Sequence, residues 1–299
     1  MHTLRLGTRG SLLARTQSQI VADAIEAANP STRVELVILK TTGDVVQDKP
    51  LHDIGGKGLF TKELELALLR GDIDLAVHSY KDVPVTMPLV DTGELFIAAV
   101  PARNDARDVL ITNAHAMSID QLPQHAVVGT GSLRRQAHLS NVRPDVTFVA
   151  LRGNIDTRLK KLRAGDYDAI VLAAAGLLRA GLFDSETMTL LPVEQMIPSA
   201  GQGALALQTR RDATDVIDRL LALHCPNTSA CVDIERDVVR LLDGDCKSPI
   251  GASAVLHERI ATLHASTIID TRLKMSAATI NQEDVNTLPG VVVGELKAL

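Results

Sequence analysis

Through the first two thirds of this 299-residue chain, short apolar runs alternate with stretches whose apolar residues recur at helical spacing. Residues 4–7, 34–39 and 75–78 read as strands, with helices at 12–28 and 59–69 between them. The rhythm resumes with a strand at 127–128, a helix from about residue 133, a strand at 146–150, a helix at 155–162 and a strand at 169–172. Such alternation predicts α/β sheets built from crossover units. A strand at 95–100 leads into the polar run PARNDARD (101–108), which reads as a hinge, so a second α/β domain is expected from near residue 103. Ser199-Ala200-Gly201-Gln202-Gly203 then interrupts the pattern. Beyond it the chain reads as helical and acidic from residue 204 to about 242, with a return crossing there. Strand-rich pieces at 252–256, 260–267 and 291–293 predict a small α+β third domain.

Length supports two or three domains at roughly 100 to 200 residues each. The composition, 45% apolar and 22% charged, is that of a globular protein. The longest apolar stretch, 169–178, falls well short of the roughly 20 residues a bilayer span requires. The first sixteen residues lack the apolar run and small-residue cleavage site of a secretory signal, so a cytoplasmic protein is expected. Cys225, Cys231 and Cys246 form no Cys-x-x-Cys pair and are expected to be free thiols. His224 beside Cys225 has no ligand-spaced partners, so no metal is expected. With no Trp, two Tyr, four Phe and a net charge of −5, the chain offers neither stacking platforms nor the overall charge for nucleic acid.

Charge is distributed unevenly. Arg134, Arg135, Arg143, Arg152, Arg158, Arg163 and Arg179, with Lys160 and Lys161, face only four carboxylates between residues 129 and 179, leaving this stretch about five charges positive in an acidic protein. Several of these arginines follow strands directly. Guanidinium groups at strand ends suit planar carboxylates, which favours a polycarboxylate ligand; Lys160, Lys161 and Arg163 read instead as a solvated helix face. Gly129-Thr130-Gly131-Ser132 before Arg134 is a strand, glycine turn and helix start, without the third glycine of a dinucleotide site or a Walker lysine. Thr8-Arg9-Gly10-Ser11 repeats that arrangement near the N-terminus; it reads equally as an anion site or as an ordinary Ser11 cap with a solvated arginine. Lys81 and Asp82 follow the strand at 75–78, where Asp82 could stabilise a developing cation or simply cap a turn before Pro84. The glycine loop 55–58, carrying Lys57 and followed by Phe60, reads as a lid or a connector. Cys246, beside Lys247 in a turn, reads on spacing alone as an incidental thiol.

In order along the chain, LGTRGSLLA (6–14), KTTGD (40–44), GGKGLFTKELE (55–65), DLAVHSYKDVP (74–84), GTGSLRRQ (129–136), RGNIDTRL (152–159), DAIVLAAAGLLR (168–179), SAGQGALA (199–206) and LDGDCKSPIGA (242–252) resemble the porphobilinogen deaminase, or hydroxymethylbilane synthase, family. The ordered set is far more specific than any one string. The resemblance implies two α/β domains like a two-lobed periplasmic binding protein, with hinge crossings and the active cleft between them, plus a small α+β C-terminal domain. The implied boundaries are 1–100 with 203–221, then 103–198, then 225–299. It implies a cytoplasmic monomeric transferase of heme biosynthesis that condenses four porphobilinogen units onto a dipyrromethane, releases ammonia and hydrolyses the product to hydroxymethylbilane. It implies that Cys246 carries the dipyrromethane covalently, overturning the incidental reading of that thiol, and that Asp82 with Lys81 is catalytic. Ser11, Lys81, Asp82, Ser132, Arg134, Arg135, Arg152 and Arg158 match cofactor-contacting positions. Arg9, Ser11, Gln17, Lys57, Phe60, Arg152, Arg158, Arg179 and Gln202 match substrate-contacting ones. The chain departs from the family pattern at Asp53, Tyr80 and Asp245, where lysine, methionine and glycine are common. The rival reading is a non-catalytic two-lobed anion-binding protein, since fold does not decide function.

Overall fold

The computed structural model of the chain describes residues 2–40, 61–85, 93–245 and 248–299. The first sheet contains β1 (His2–Arg9), β2 (Thr32–Leu39), β3 (Leu75–Ser79) and β4 (Leu95–Ala99), with α1 (Leu12–Ala28) and α2 (Lys62–Leu69) between them. β1 runs parallel to both β2 and β3. Between β3 and β4 lies an antiparallel strand from far downstream, Leu205–Arg210. Helix α1 forms where the pattern predicts, because Gln17, Ser18, Val21, Ala22 and Ile25 make one buried stripe and Ser11 caps its first turn.

The second sheet repeats this plan with β5 (Asp108–Thr112), β6 (Val127–Gly129), β7 (Thr147–Val149), β8 (Ala169–Ala173) and β9 (Met188–Leu190), in the order β7-β6-β8-β5-β9. Its helices are α3 (Leu133–Val142), α4 (Ile155–Arg163) and α5 (Ala174–Arg179). β6 is parallel to β7 and β8, and β5 is the antiparallel member. Val109 and Ile111 pack on one face of this sheet and Leu110 on the other. A strand buried on both faces therefore reads as a continuous apolar run.

The chain divides into two compact units, Met1–Arg103 with Ala204–Ser229, and Asn104–Gly203 with Ala230–Leu299. In each unit the antiparallel strand is the one that follows a crossing. β5 begins shortly after Asn104, and the downstream strand, β10, begins at Leu205. After β10 come α6 (Thr214–Leu221) and α7 (Pro226–Leu241), then an antiparallel meander of β11 (Gly251–His257), β12 (Ile260–Ile269) and β13 (Arg272–Asn281), covered by α8 (Leu288–Ala298).

Two expected elements are corrected. Residues 205–210 are not helical but a central strand, because Leu205 and Leu207 enter the core of the first sheet and the backbone completes ladders on both sides. Residues 291–293 are helical despite their valines, since Leu288, Val292, Val293 and Leu296 form the buried stripe of α8. Strands β5, β9 and β13 have no counterpart in the pattern-based reading.

Candidate functional site

In each sheet the strand order reverses beside the first parallel strand, so the loops leaving the carboxyl ends of the parallel strands are where an α/β sheet takes a ligand. In the first unit these ends carry Arg9 and the turn after β3. Ser11 Oγ accepts the Ala14 amide at 3.3 Å, so the hydroxyl caps α1. Gln17, buried on α1, exchanges hydrogen bonds with Ser79 Oγ at 3.2 and 3.3 Å, which ties α1 to the last residue of β3. The chain then enters a single 3-10 turn, Tyr80–Asp82. The Tyr80 amide donates to Ala204 O at 3.0 Å, and the Val83 amide closes the turn on Tyr80 O at 3.0 Å. Tyr80 and Val83 are buried, Lys81 is half-buried and Asp82 is exposed. Tyr80 thus packs inward, and Asp82 faces solvent on a turn anchored from both sides.

In the second unit Ser132 caps α3, its Oγ accepting the Arg135 amide at 3.4 Å. The first turn of that helix holds Arg134 and Arg135, both buried around Asp108 at the start of β5. Arg134 Nη1 lies 2.8 Å from Asp108 Oδ2, and Arg135 Nη2 lies 2.7 Å from Oδ1. Arg134 also donates to Ile197 O and Ser199 Oγ, and Arg135 to Val171 O. Gln202 Nε2 adds a 3.0 Å bond to Asp108 Oδ1 and a 2.7 Å bond to Ala106 O. Burial alone would raise the Asp108 carboxyl; the two guanidinium groups override it and hold the acid well below the ordinary carboxylate range. Asp108 is the residue that sequence reasoning missed. Its only signal was a carboxylate opening an otherwise apolar strand.

Arg152, half-buried, follows β7, and its carbonyl accepts from Lys161 Nζ at 3.4 Å. Arg158 Nε donates to Gly153 O at 2.7 Å across the turn that starts α4. Arg179 Nη2 donates to Gly203 O at 2.7 Å, and burial pushes its guanidinium down to about 10. Arg143 leaves the anion-binding set: its guanidinium holds Asp145 and the carbonyls of Ile119, Leu122 and Pro123. Lys160 and Arg163 are exposed on α4, as the solvated-face reading expects, whereas Lys161 is half-buried and its Nζ donates to Arg152 O. Among the described residues Cys225 and Cys231 form no disulfide. Lys57, Phe60, Cys246 and Lys247, together with Asp53 and the glycine loop 55–58, lie outside the described residues. Among the described residues no three His, Cys, Asp or Glu side chains gather as a metal site needs, and no helix is long and apolar enough to cross a membrane.

A guanidinium donor set distributed over the strand ends fits a ligand bearing several carboxylates. Comparison with known proteins gives the family. The model of the family described as "Porphobilinogen deaminase, dipyromethane cofactor binding domain" matches residues 4–218. A protein named porphobilinogen deaminase from Syntrophobacter fumaroxidans is 48% identical over 260 residues, covering 87% of this chain and 82% of that protein. Proteins of the same name from Thiobacillus denitrificans and Lawsonia intracellularis are 47% and 41% identical, covering 85% and 93% of this chain and 81% and 91% of their own lengths. Among solved structures, the methionine binding protein MetQ superposes with a TM-score of 0.47 at 14% identity, covering 76% of this chain and 92% of that one.

Proposed function

The chain belongs to the porphobilinogen deaminase family, and on that premise we propose which of its residues carry the reaction. The enzyme acts in tetrapyrrole synthesis: it condenses four porphobilinogen units stepwise onto dipyrromethane, releases ammonia at each step and hydrolyses the product to hydroxymethylbilane. It is accordingly read as a transferase. When bound, the dipyrromethane supplies the nucleophilic pyrrole carbon and a tether for the growing chain.

Asp82 is assigned the catalytic carboxylate, with Lys81 beside it. Loss of ammonia leaves the incoming pyrrole electron-poor, and a fixed carboxylate stabilises the positive nitrogen and accepts or returns its proton. The observation that carries this assignment is the turn itself. Its buried neighbours hold it to the end of a central strand, while Asp82 is exposed and, among the described residues, forms no hydrogen bond or ion pair. Arg9, Arg152, Arg158 and Arg179 are assigned to carboxylates of substrate and cofactor, with Ser11, Gln17, Ser132, Gln202, Lys57 and Phe60 as supporting contacts. Arg134 and Arg135 are assigned to the cofactor; their charge stands fixed on the Asp108 carboxylate. Cys246 is assigned the covalent attachment, in a third domain spanning 225–299, after domains at 1–100 with 203–221 and at 103–198. A cytoplasmic monomer that binds no nucleic acid completes the reading.

Intact mass and turnover, measured together, test it. Freshly purified protein is expected to exceed its chain mass by two linked pyrroles, and Cys246→Ser to lose that excess. Asp82→Ala is expected to keep the folded state and the excess while losing nearly all porphobilinogen consumption. An unmodified mass for active protein would remove Cys246 from its role, and near-normal turnover in Asp82→Ala would remove the carboxylate.

A further inference from the structure

Beneath the turn that carries Asp82, three buried polar side chains from three different elements form one hydrogen-bonded chain. His78 of β3 is 6% exposed, Gln208 of β10 is 1% exposed and Glu65 of α2 is 1% exposed. His78 Nε2 lies 2.9 Å from Gln208 Oε1, and Gln208 Nε2 donates to Glu65 Oε1 at 3.2 Å. The ladder between β3 and β10 sets Ala206 opposite His78 and Gln208 opposite Ala76, which leaves His78 and Gln208 on the same sheet face. With the amide donating to Glu65, its oxygen receives the Nε2–H of His78, which specifies the tautomer of the ring.

We propose that Gln208 and Glu65 are positioning residues of the reaction, holding His78 and through it the turn that presents Lys81 and Asp82. The proposal rests on the role assigned to Asp82. Ser79 is held on the other side of β3 by Gln17, so side chains grip both residues that precede the turn. A β-strand end fixed on both faces leaves the following turn little freedom to shift the carboxylate.

Burial favours the neutral form of both titratable members of this chain. Among the described residues Glu65 Oε2 has no hydrogen-bond partner, and no cation pairs with either oxygen. Burial pushes the Glu65 carboxyl up, with the Gln208 bond opposing only in part, and burial pushes His78 down to about 4, as does nearby Arg9. The charged groups on the sheet face under α2 have other roles. Arg5 pairs with Asp74, Arg210 donates to the carbonyls of Leu68 and Ile73, and Arg9 stands at the ligand edge. On α2 itself Lys62 is exposed and Glu63 half-buried. Burial thus disfavours a negative charge on Glu65 beneath the turn.

The sign of the pH dependence follows. A carboxyl whose folded value lies above its ordinary 4.5 contributes stability below that value and loses it as pH rises through the folded value. Glu65→Gln keeps a neutral side chain and removes that loss. Its stability relative to the parent enzyme is expected to improve as pH rises above 4.5, with kcat and KM within about twofold. Glu65→Leu and Gln208→Leu break the chain and are expected to lower kcat by roughly ten- to hundredfold with little change in KM, because the carboxylate shifts while the arginines do not. Nitrogen-15 NMR of the parent holoenzyme should show His78 as the Nε2–H tautomer from pH 5 to 8, and Gln208→Leu should disturb it. The proposal is overturned if Glu65→Gln grows less stable with rising pH, if His78 is charged or the other tautomer, or if folded Gln208→Leu keeps its kcat. Tautomer and stability do not depend on Asp82, so failure of the Asp82 assignment would show separately, as turnover surviving in Asp82→Ala.

Discussion

Asp108 shows how much one residue can organise. Its carboxylate is wholly buried, yet two guanidinium groups and the Gln202 amide meet it, so it links β5, the first turn of α3 and the turn before Gly203. Removing one member of a buried ion cluster costs more than the cluster contributes, because uncompensated charge stays behind. Asp108→Asn is expected to lose about 3 kcal/mol or more in urea unfolding at pH 7, and turnover with it as Arg134 and Arg135 repel each other. The pH dependence has a definite sign. Asp108 is held below its ordinary 3.8, so its contribution is present above that pH and is lost as the pH falls further; the Asn variant should lack that acid-sensitive part. The arginines stood out in the sequence, since charge and spacing both mark them. That two of them meet a carboxylate 26 and 27 residues earlier was not legible there, because the pairing is made by strand order rather than by sequence distance.

Among the elements, legibility followed the strength of the period. Helix α1 spans the residues its apolar stripe predicts, as do β3 and α4 to within a residue. β10 escaped, because ALALQTR holds good helix formers and its strand state comes from ladders to β3 and β4. The crossing before β10 rests on Gly203, whose φ of +87° is left-handed and whose missing side chain leaves room for the chain to pass. A Cβ there would stand 2.4 Å from Asn104 O, an atom that cannot swing aside, and the Asn104 amide donates to Gly203 O at 3.1 Å. Gly203→Ala is therefore expected to destabilise the protein by more than the roughly 1 kcal/mol of an ordinary strained glycine replacement, and to lower turnover. A variant as stable as the parent in urea would show that the crossing relaxes freely.

At the scale of the whole molecule, two buried histidines among the described residues stay neutral, which makes its acid response predictable. His138 sits between Gln195 O and Ser266 Oγ, and burial with nearby Arg134 pushes it down to about 4, the value His78 also reaches. Both contribute stability above the ordinary 6.5 that is lost as pH falls toward 4, where the unfolded chain takes up protons that the folded one refuses. The urea midpoint should fall across that interval, and His138→Gln should flatten the fall; an unchanged slope would mean that the ring is already charged in the fold. The α/β class, most of the strands and helices of the first two sheets, and the family were readable from local pattern, because apolar period, turn chemistry and motif strings are properties of neighbouring residues. The neutral state of His78 and His138, the raised Glu65 carboxyl, the capture of Arg134 and Arg135 by Asp108, and the strand identity of 205–210 arise only when distant segments are brought together. Each depends on burial and on a partner far along the chain, and folding alone supplies both.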